Sequence, residues 1–436
     1  MKIPFSNDIY PYKFPAWQEA EITNSYKAYL INSESTPLVN IKFVVRMGAY
    51  SEKIFGLAHL TTQLMQRGTI LRDADKIASE FDDMGASFSI NTGWDEIILN
   101  VHCLEDFQFR TLELALDCFL NPAFKEDEFE KYKKRQIARI DQENSDPEYL
   151  AQVNFNKTVY ENSGYAHTLI GTKESIDSIT LADVKSFHQE IMKSDLFFVL
   201  AGNIDNDLIK ALGKDFPLKK VHQEPPTQEN MYNKERTIIV DKKDASQINL
   251  RIGKKTIDRN SQDFHILSLT NTIFGGYFLS RLNKKVREEM GLTYGINSYF
   301  DNRRYLSSWQ ISSAINIDSL IVTLDTIESE MTNFYEKKVE FEELNIARNY
   351  MMGNFLKTLE TPHQLASMLV SIKTLGLKDT YYDDFYRKIN YATVDQVFRI
   401  QKKFFNSQNL ILTFSGNADE ISKSLLENFE LDLEII

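Results

Sequence analysis

The run Gly56-Leu57-Ala58-His59-Leu60-Thr61-Thr62-Gln63-Leu64-Met65 sets an imidazole, a hydroxyl and a carboxamide at helical spacing. At about 3.6 residues per turn, His59, Thr62 and Gln63 share one helix face, while Leu57, Leu60 and Leu64 lie roughly opposite and pack inward. That polar face has the geometry of an H-x-x-E-H helix, in which two His at i and i+4 bind zinc and the Glu between them polarises the attacking water. Only the first of those three groups is present. The Thr62 hydroxyl cannot accept a proton at neutral pH, and the Gln63 amide is a poor substitute for imidazole. A lone His is more often a hydrogen-bonded structural residue than a ligand. The other histidines, at positions 102, 167, 188, 222, 265 and 363, form no ligand-spaced pair, and a four-coordinate site needs converging groups. No metal site and no cofactor are expected in this chain.

A second candidate lies between Phe274 and Phe300, in FGGYFLSRLNKKVREEMGLTYGINSYF. Gly275-Gly276 breaks the preceding helix and frees the backbone ahead of the next one. The next helix is predicted to end near Gly291, with a β-rich run starting at Leu292. Arg287 then falls in the last helical turn and Tyr294 early in the strand. Seven residues apart across a helix-to-strand corner, their side chains can converge on one point. Taken alone, the pair needs no function: an Arg near a helix C-terminus meets the macrodipole favourably, and a strand Tyr packs well. Gly-Gly before a helix is also too weak a signal for phosphate binding.

The elements that must position these residues occur twice. Leu181–Asp205 and Val394–Asp419 each read as an amphipathic helix, a short polar turn, an apolar strand and a small-Gly-Asn exit. Ala201-Gly202-Asn203 and Ser415-Gly416-Asn417 are 214 positions apart. Glu128-Phe129-Glu130 and Glu340-Phe341-Glu342 open two further helices, each containing Ile-Ala-Arg, with starts 212 positions apart. Two pairs at nearly one offset indicate a tandem duplication. The polar stretch KKVHQEPPTQENMYNKE separates the copies as a linker. The 436 residues divide into an N-terminal domain at 1–220, a linker at 221–233 and a C-terminal domain at 234–436. Each half opens with a strand (Val39–Met47; Gln247–Ile252) and a helix, continues with strands (Ser87–Cys103; Tyr294–Ile315), and closes with several helices and a strand. Strands and helices mix without strict βαβ alternation. The expected class is α+β, two homologous domains in tandem, each a mainly antiparallel sheet packed with helices.

Composition removes several functions. Asp+Glu of 62 against Lys+Arg of 50 gives a net charge of −12, which argues against a general nucleic-acid binder. Cys103 and Cys118 cannot form a disulfide framework and read as buried thiols in a reducing compartment. The first residues lack the apolar core of a secretory signal, and no run approaches the ~20 apolar residues of a membrane span. A cytoplasmic protein without membrane contact is expected.

From Gly48 to Thr69 the chain reads GAYSEKIFGLAHLTTQLMQRGT, which resembles the zinc-helix region of the insulinase/pitrilysin metallopeptidases, in the branch of the mitochondrial processing peptidase and small bacterial two-chain peptidases. The matching positions are Gly48, Glu52, Gly56-Leu57-Ala58-His59 and Gly68-Thr69. The resemblance places the family's Glu and second His on Thr62 and Gln63, and its third ligand on Ala138 or Arg139. It implies a member whose own zinc site has been dismantled. The stretch from Phe274 resembles the family's Gly-rich loop with its Arg/Tyr pair, which implies that Arg287 and Tyr294 reach substrate. Ser89-Ile90-Asn91-Thr92 matches the family's substrate-pairing edge strand. The resemblance extends from about Gly48 to Asp419. It implies the zinc-lacking subunit of a heterodimeric metalloendopeptidase acting on short or unfolded peptides. The implied partner is a homologous subunit with an intact H-x-x-E-H and the zinc. A second implication is a non-catalytic scaffold with the same fold, like the core subunits of respiratory bc complexes.

Overall fold

Apolar residues at alternate positions build the first sheet. Val39, Ile41, Phe43 and Val45 are fully buried and share one core with Leu99 and Val101, because every second side chain of a strand points to the same face. The computed structural model describes residues 12–23, 26–33, 36–214 and 234–436. The predicted linker at 221–233 lies outside the described residues.

Two six-stranded mixed sheets carry the fold. The first contains β1 (Gln18–Thr23), β2 (Tyr26–Asn32), β3 (Leu38–Val45), β4 (Ser87–Thr92), β5 (Ile97–Leu104) and β6 (Leu196–Gly202), in the order β1-β2-β6-β3-β5-β4. The second contains β7 (Arg236–Asp241), β8 (Ile248–Thr256), β9 (Ile296–Asn302), β10 (Ser307–Ile315), β11 (Ile411–Gly416) and β12 (Leu433–Ile435), in the order β12-β7-β11-β8-β10-β9. Both are mainly antiparallel; the parallel pairs are β2 with β6, and β7 with β11 and β12. The five strands β2-β6-β3-β5-β4 correspond one for one to β7-β11-β8-β10-β9, as a tandem duplication requires. The sixth strand differs: β1 enters antiparallel from the N-terminal side, β12 parallel from the C-terminal side. The strands β1, β2 and β7 lie before the predicted openings at Val39 and Gln247, and β12 lies after the predicted final strand.

The halves exchange helices. The helix Pro147–Val159 belongs to the first half in sequence but packs on β7, β8 and β11. In return, Pro362–Thr374 packs on β2, β3 and β6. Each covers a face with a buried cation. Arg251 on β8 donates from Nε to Gln152 Oε1 (2.9 Å) and from Nη2 to Glu148 Oε1 (3.1 Å), both on the incoming helix. Lys42 on β3 donates to Asn100 Oδ1 (3.0 Å), and neighbouring Asn40 Nδ2 lies 3.3 Å from His363 Nδ1. Burial, with no carboxylate partner among the described residues, lowers the Lys42 ammonium to about 8. Gly253 makes the close approach possible, since a Cβ there would lie 2.9 Å from the Phe155 ring and 2.2 Å from Trp309 O.

A second contact ties the sheet ends together. The guanidinium of Arg303 lies 4.3 Å from the Trp94 ring centre, 4.2 Å from Tyr160 and 5.0 Å from Tyr165. It pairs with Asp301 at 2.8 Å. The Tyr165 hydroxyl donates to Asp95, whose other oxygen accepts from Arg304 N (3.0 Å). Arg303→Ala removes a buried cation from an aromatic cage and leaves Asp301 without it. The expected loss is about 3 kcal/mol of unfolding free energy. Urea denaturation followed by both far-UV circular dichroism and Trp fluorescence checks this. Because the halves interlock, the two probes should coincide in one transition, and two separated transitions would contradict the interlock.

Candidate functional site

The His59 helix runs over Leu57–Leu64, and its first turn is organised by a carboxylate upstream. Glu52 is buried and accepts from Gly56 N (2.7 Å) and Ala58 N (2.8 Å), which satisfies two of the orphan donors of a helix start. Burial dominates those two bonds and pushes its carboxyl up to about 8. His167 Nδ1 stands 3.6 Å from Glu52 Oε1 and its ring stacks on Phe55. Gly56 sits at φ 90°, where a Cβ would meet Ile170 O at 2.6 Å. Gln136 Nε2 donates to Gly56 O (3.3 Å) and Ile170 O (2.8 Å), so the helix Glu126–Glu143 holds the same turn from the other side.

The polar face of this helix has been put to structural use. Thr62 is fully buried; its hydroxyl donates to His59 O (2.9 Å) and lies 2.9 Å from the Thr92 hydroxyl on β4. Gln66 Nε2 donates to Thr62 O and to Ile90 O, both at 3.0 Å. The carbonyl of Ile90 on the edge strand β4 is therefore already occupied from within the chain, which blunts that edge. Arg139, one of the two positions (Ala138 or Arg139) matched to the family's third ligand, lies close enough for its positive charge to act on the His59 ring. Burial first, and Arg139 second, lower the His59 imidazole to about 4. Arg139 itself pairs with Glu143 at 3.3 Å.

These residues do not fit zinc. A positive charge that acts on the imidazole opposes a divalent cation, a buried Thr hydroxyl stands where that motif has its carboxylate, and an amide where it has the second His. Among the described residues, no three His, Cys, Asp or Glu side chains are grouped to hold a metal ion. The residue pattern marks Thr62, Gln63 and either Ala138 or Arg139 as the lost positions. It missed Gln136 and Gln66, whose roles are visible only once helices and strand are packed.

The second candidate is built around two buried asparagines. Asn271 Nδ2 donates to Ser298 O (2.9 Å), and its Oδ1 accepts from Ser298 Oγ (2.7 Å) and Trp309 Nε1 (2.6 Å). Asn283 Nδ2 donates to Ile296 O (2.6 Å) and Tyr277 O (3.2 Å), tying the Gly-Gly turn to β9. At Gly275 a Cβ would lie 2.5 Å from Ser298 Oγ, so only glycine allows this approach. Beyond the turn, Asn283–Glu289 forms a π-helical segment rather than the expected α-helix, a form frequent at functional sites. Arg287 within it is half-buried, with its guanidinium 4.3 Å over the Phe278 ring. Among the described residues it has no acidic partner. Tyr294 lies two residues before β9, not within the strand as expected, and is 92% exposed. Thr293 Oγ1, donating to Ala314 O (2.7 Å), anchors that corner. Arg287 and Tyr294 thus share the helix-to-strand corner, but no contact among the described residues joins them to each other or to His59.

Residues 27–173 match the family described as insulinase (peptidase family M16), and residues 178–351 match the peptidase M16 inactive domain. The chain belongs to peptidase family M16. An "Uncharacterized zinc protease YmxG" of Bacillus subtilis is 22% identical over 91% of this chain and 97% of its own length. A "Non-peptidase homolog YmxG" of Helicobacter pylori is 26% identical over 70% of this chain and 72% of that protein. Among solved structures, a peptidase M16 inactive domain from Pseudomonas fluorescens superposes with a TM-score of 0.85, at 23% identity over 92% of this chain and 98% of that one. A protease from Helicobacter pylori superposes at 0.84, with 18% identity over 93% and 100%. These superpositions show the M16 fold. No helix among the described residues is long and apolar enough to cross a membrane.

The lowered imidazole of this M16 chain has a measurable consequence. A His with a depressed folded-state pKa stabilises the fold above its unfolded value near 6.5, and that contribution is lost as pH falls towards 4. Relative to His59→Gln, the wild-type chain should lose on the order of 2–3 kcal/mol between pH 7 and pH 4. Urea denaturation of both proteins at several pH values reads the difference. A pH-independent gap would mean that His59 protonates freely in the fold.

Proposed function

We propose that this chain is the zinc-lacking subunit of a two-chain M16 metalloendopeptidase. A homologous partner with an intact H-x-x-E-H would carry the zinc and the general base. The observation that carries this reading is Arg287: a half-buried guanidinium, 4.3 Å over the Phe278 ring, with no acidic partner among the described residues. Among the described residues the two fully buried arginines, Arg251 and Arg303, are paired with carboxylates, because an unpaired buried cation is costly; half-buried Arg287 is not. Arg287 is kept ready for an acceptor from outside.

Tyr294 supports the same reading, since it holds a phenol 92% exposed at the same corner. In the assembled enzyme the metal supplies the activated water. This chain supplies two donors: the Arg287 N–H groups and the Tyr294 O–H, directed at the scissile carbonyl oxygen as it gains negative charge. Both are neutral to the proton balance of the reaction, because neither has to give up its proton. The substrate class is a short or unfolded peptide admitted between the two chains. With Gln66 on Ile90 O, β4 of this chain is a poor strand for substrate to pair with.

A second reading, a non-catalytic scaffold, is favoured by the inactive-domain match over residues 178–351 and by the non-peptidase name of the Helicobacter pylori relative. Reconstitution with the zinc-bearing homologue separates the two. Under the peptidase reading, Arg287→Ala lowers peptide turnover by about 10²–10³-fold, and Tyr294→Phe lowers it in the same direction, while both variants stay associated with the partner in gel filtration. Unchanged turnover in both variants leaves the scaffold.

A further inference from the structure

A cleft of about 480 Å³ opens on the second sheet; it shares no residue with the corner of Arg287 and Tyr294, although the helix that walls it packs on Asn283–Glu289. Its floor is one row across three neighbouring strands: Thr237, Leu412 and Ile252 are cross-strand partners on β7, β11 and β8. The wall is one face of the helix Leu320–Glu336, where Leu324, Ile327 and Met331 recur at helical spacing. The roof is the segment leading into β12, with Phe429 and Leu431 turned to the cleft. The interior is apolar, and the volume lies within the range of small-molecule sites.

The rim has the opposite character. Glu235 precedes β7, Glu328 stands on the helix, and Glu430 and Asp432 come from the roof segment. All four are exposed. Three separate stretches of backbone thus bring carboxylates to the mouth of one apolar cleft. Arg236 is the one basic residue lining it among the described residues, and it is already paired with Glu434 (2.6 Å) and Glu161 (3.4 Å). The mouth is therefore net negative, and a charged ligand entering it meets a field that favours cations.

We propose that this cleft binds a small amphiphilic amine, with its apolar body between the sheet and the helix and its protonated amino group among Glu235, Glu328, Glu430 and Asp432. Nothing in the Arg287 corner takes part, so the inference stands whichever role the chain plays in peptide hydrolysis. An alkanol would gain the same apolar burial without the charge term, and a carboxylate would be repelled.

The full chain titrated by calorimetry with 4-phenylbutylamine, 4-phenylbutanol and 4-phenylbutyrate tests it. The amine should bind at one site, about tenfold tighter than the alcohol, more weakly as salt is raised, with no binding of the acid. Glu328→Lys combined with Glu430→Lys alters only exposed side chains and should abolish the preference for the amine while leaving the circular dichroism spectrum unchanged. Ile327→Trp, which fills the cleft, should remove binding of amine and alcohol alike. Equal affinities for amine and alcohol, an amine affinity unaffected by the double charge reversal, or no saturable binding to the folded chain would each overturn the proposal.

Discussion

Each sheet carries a cation on the face that its own helices do not cover, and the chain buries it under a helix from the other half. Arg251 is 3% exposed and depends on Glu148 and Gln152 of the incoming helix. Lys42 is 6% exposed and receives amide and imidazole neighbours instead. Taking a charge out of water costs several kcal/mol unless its hydrogen bonds are replaced. The second half cannot supply the side-chain acceptors of Arg251 alone, whereas Lys42 finds its acceptor on β5 of its own half and takes only its cover from the other, so the two copies are obliged to fold against each other. The cores follow suit: Tyr29, Val44 and Phe197 of the first sheet share a cluster with Leu365 and Leu369 of the returning helix and with the second half's interior. This exchange holds the His59 helix and the Arg287 corner in one body.

Within that body the two candidate regions have diverged in opposite directions. In the first half, the groups around the helix that resembles the family's zinc helix serve the scaffold. Glu52 and Gln136 hold the helix start, Thr62 tethers it to β4, Gln66 closes the strand edge, and Arg139 keeps the imbalance of charge unfavourable to a metal. In the second half the scaffold is equally dense, with Asn271 and Asn283 satisfying the backbone around the Gly-Gly turn. What that scaffold presents is an arginine without an acidic partner among the described residues and a tyrosine in solvent. A duplicated fold can keep identical strand order and still commit one copy to structure and the other to presentation, because the strand order depends on apolar periodicity while the site depends on a few polar side chains.

Much of this was legible from residue order. The alternation of β3 and β5, the paired helix–turn–strand units ending in β6 and β11, and the 3.6-residue spacing around His59 are local patterns, set by backbone geometry and side-chain direction. The outer strands were missed because β1 with Gln18, Glu19 and Glu21 carries little apolar signal, and its place is decided by pairing with β2. Tyr294 was placed in a strand because its neighbours favour extended backbone, whereas Thr293 and Gly295 hold a corner there. The π-helical form of Asn283–Glu289 has no periodic signature distinct from an α-helix, so only the ladder of hydrogen bonds reveals it.

By itself the sequence determined the duplication, the α+β class, the M16 likeness and the absence of a complete H-x-x-E-H, since each rests on residue type and spacing along the chain. Tertiary structure alone decided which helix covers which sheet, that the charge of Arg139 reaches His59, that Gln66 occupies the Ile90 carbonyl, and that Arg287 lies over Phe278 with no acidic partner among the described residues. Those outcomes depend on contacts between residues tens or hundreds of positions apart. Buried charge and edge-strand hydrogen bonds are settled by whatever packing brings to them, and periodicity along the chain carries no record of that.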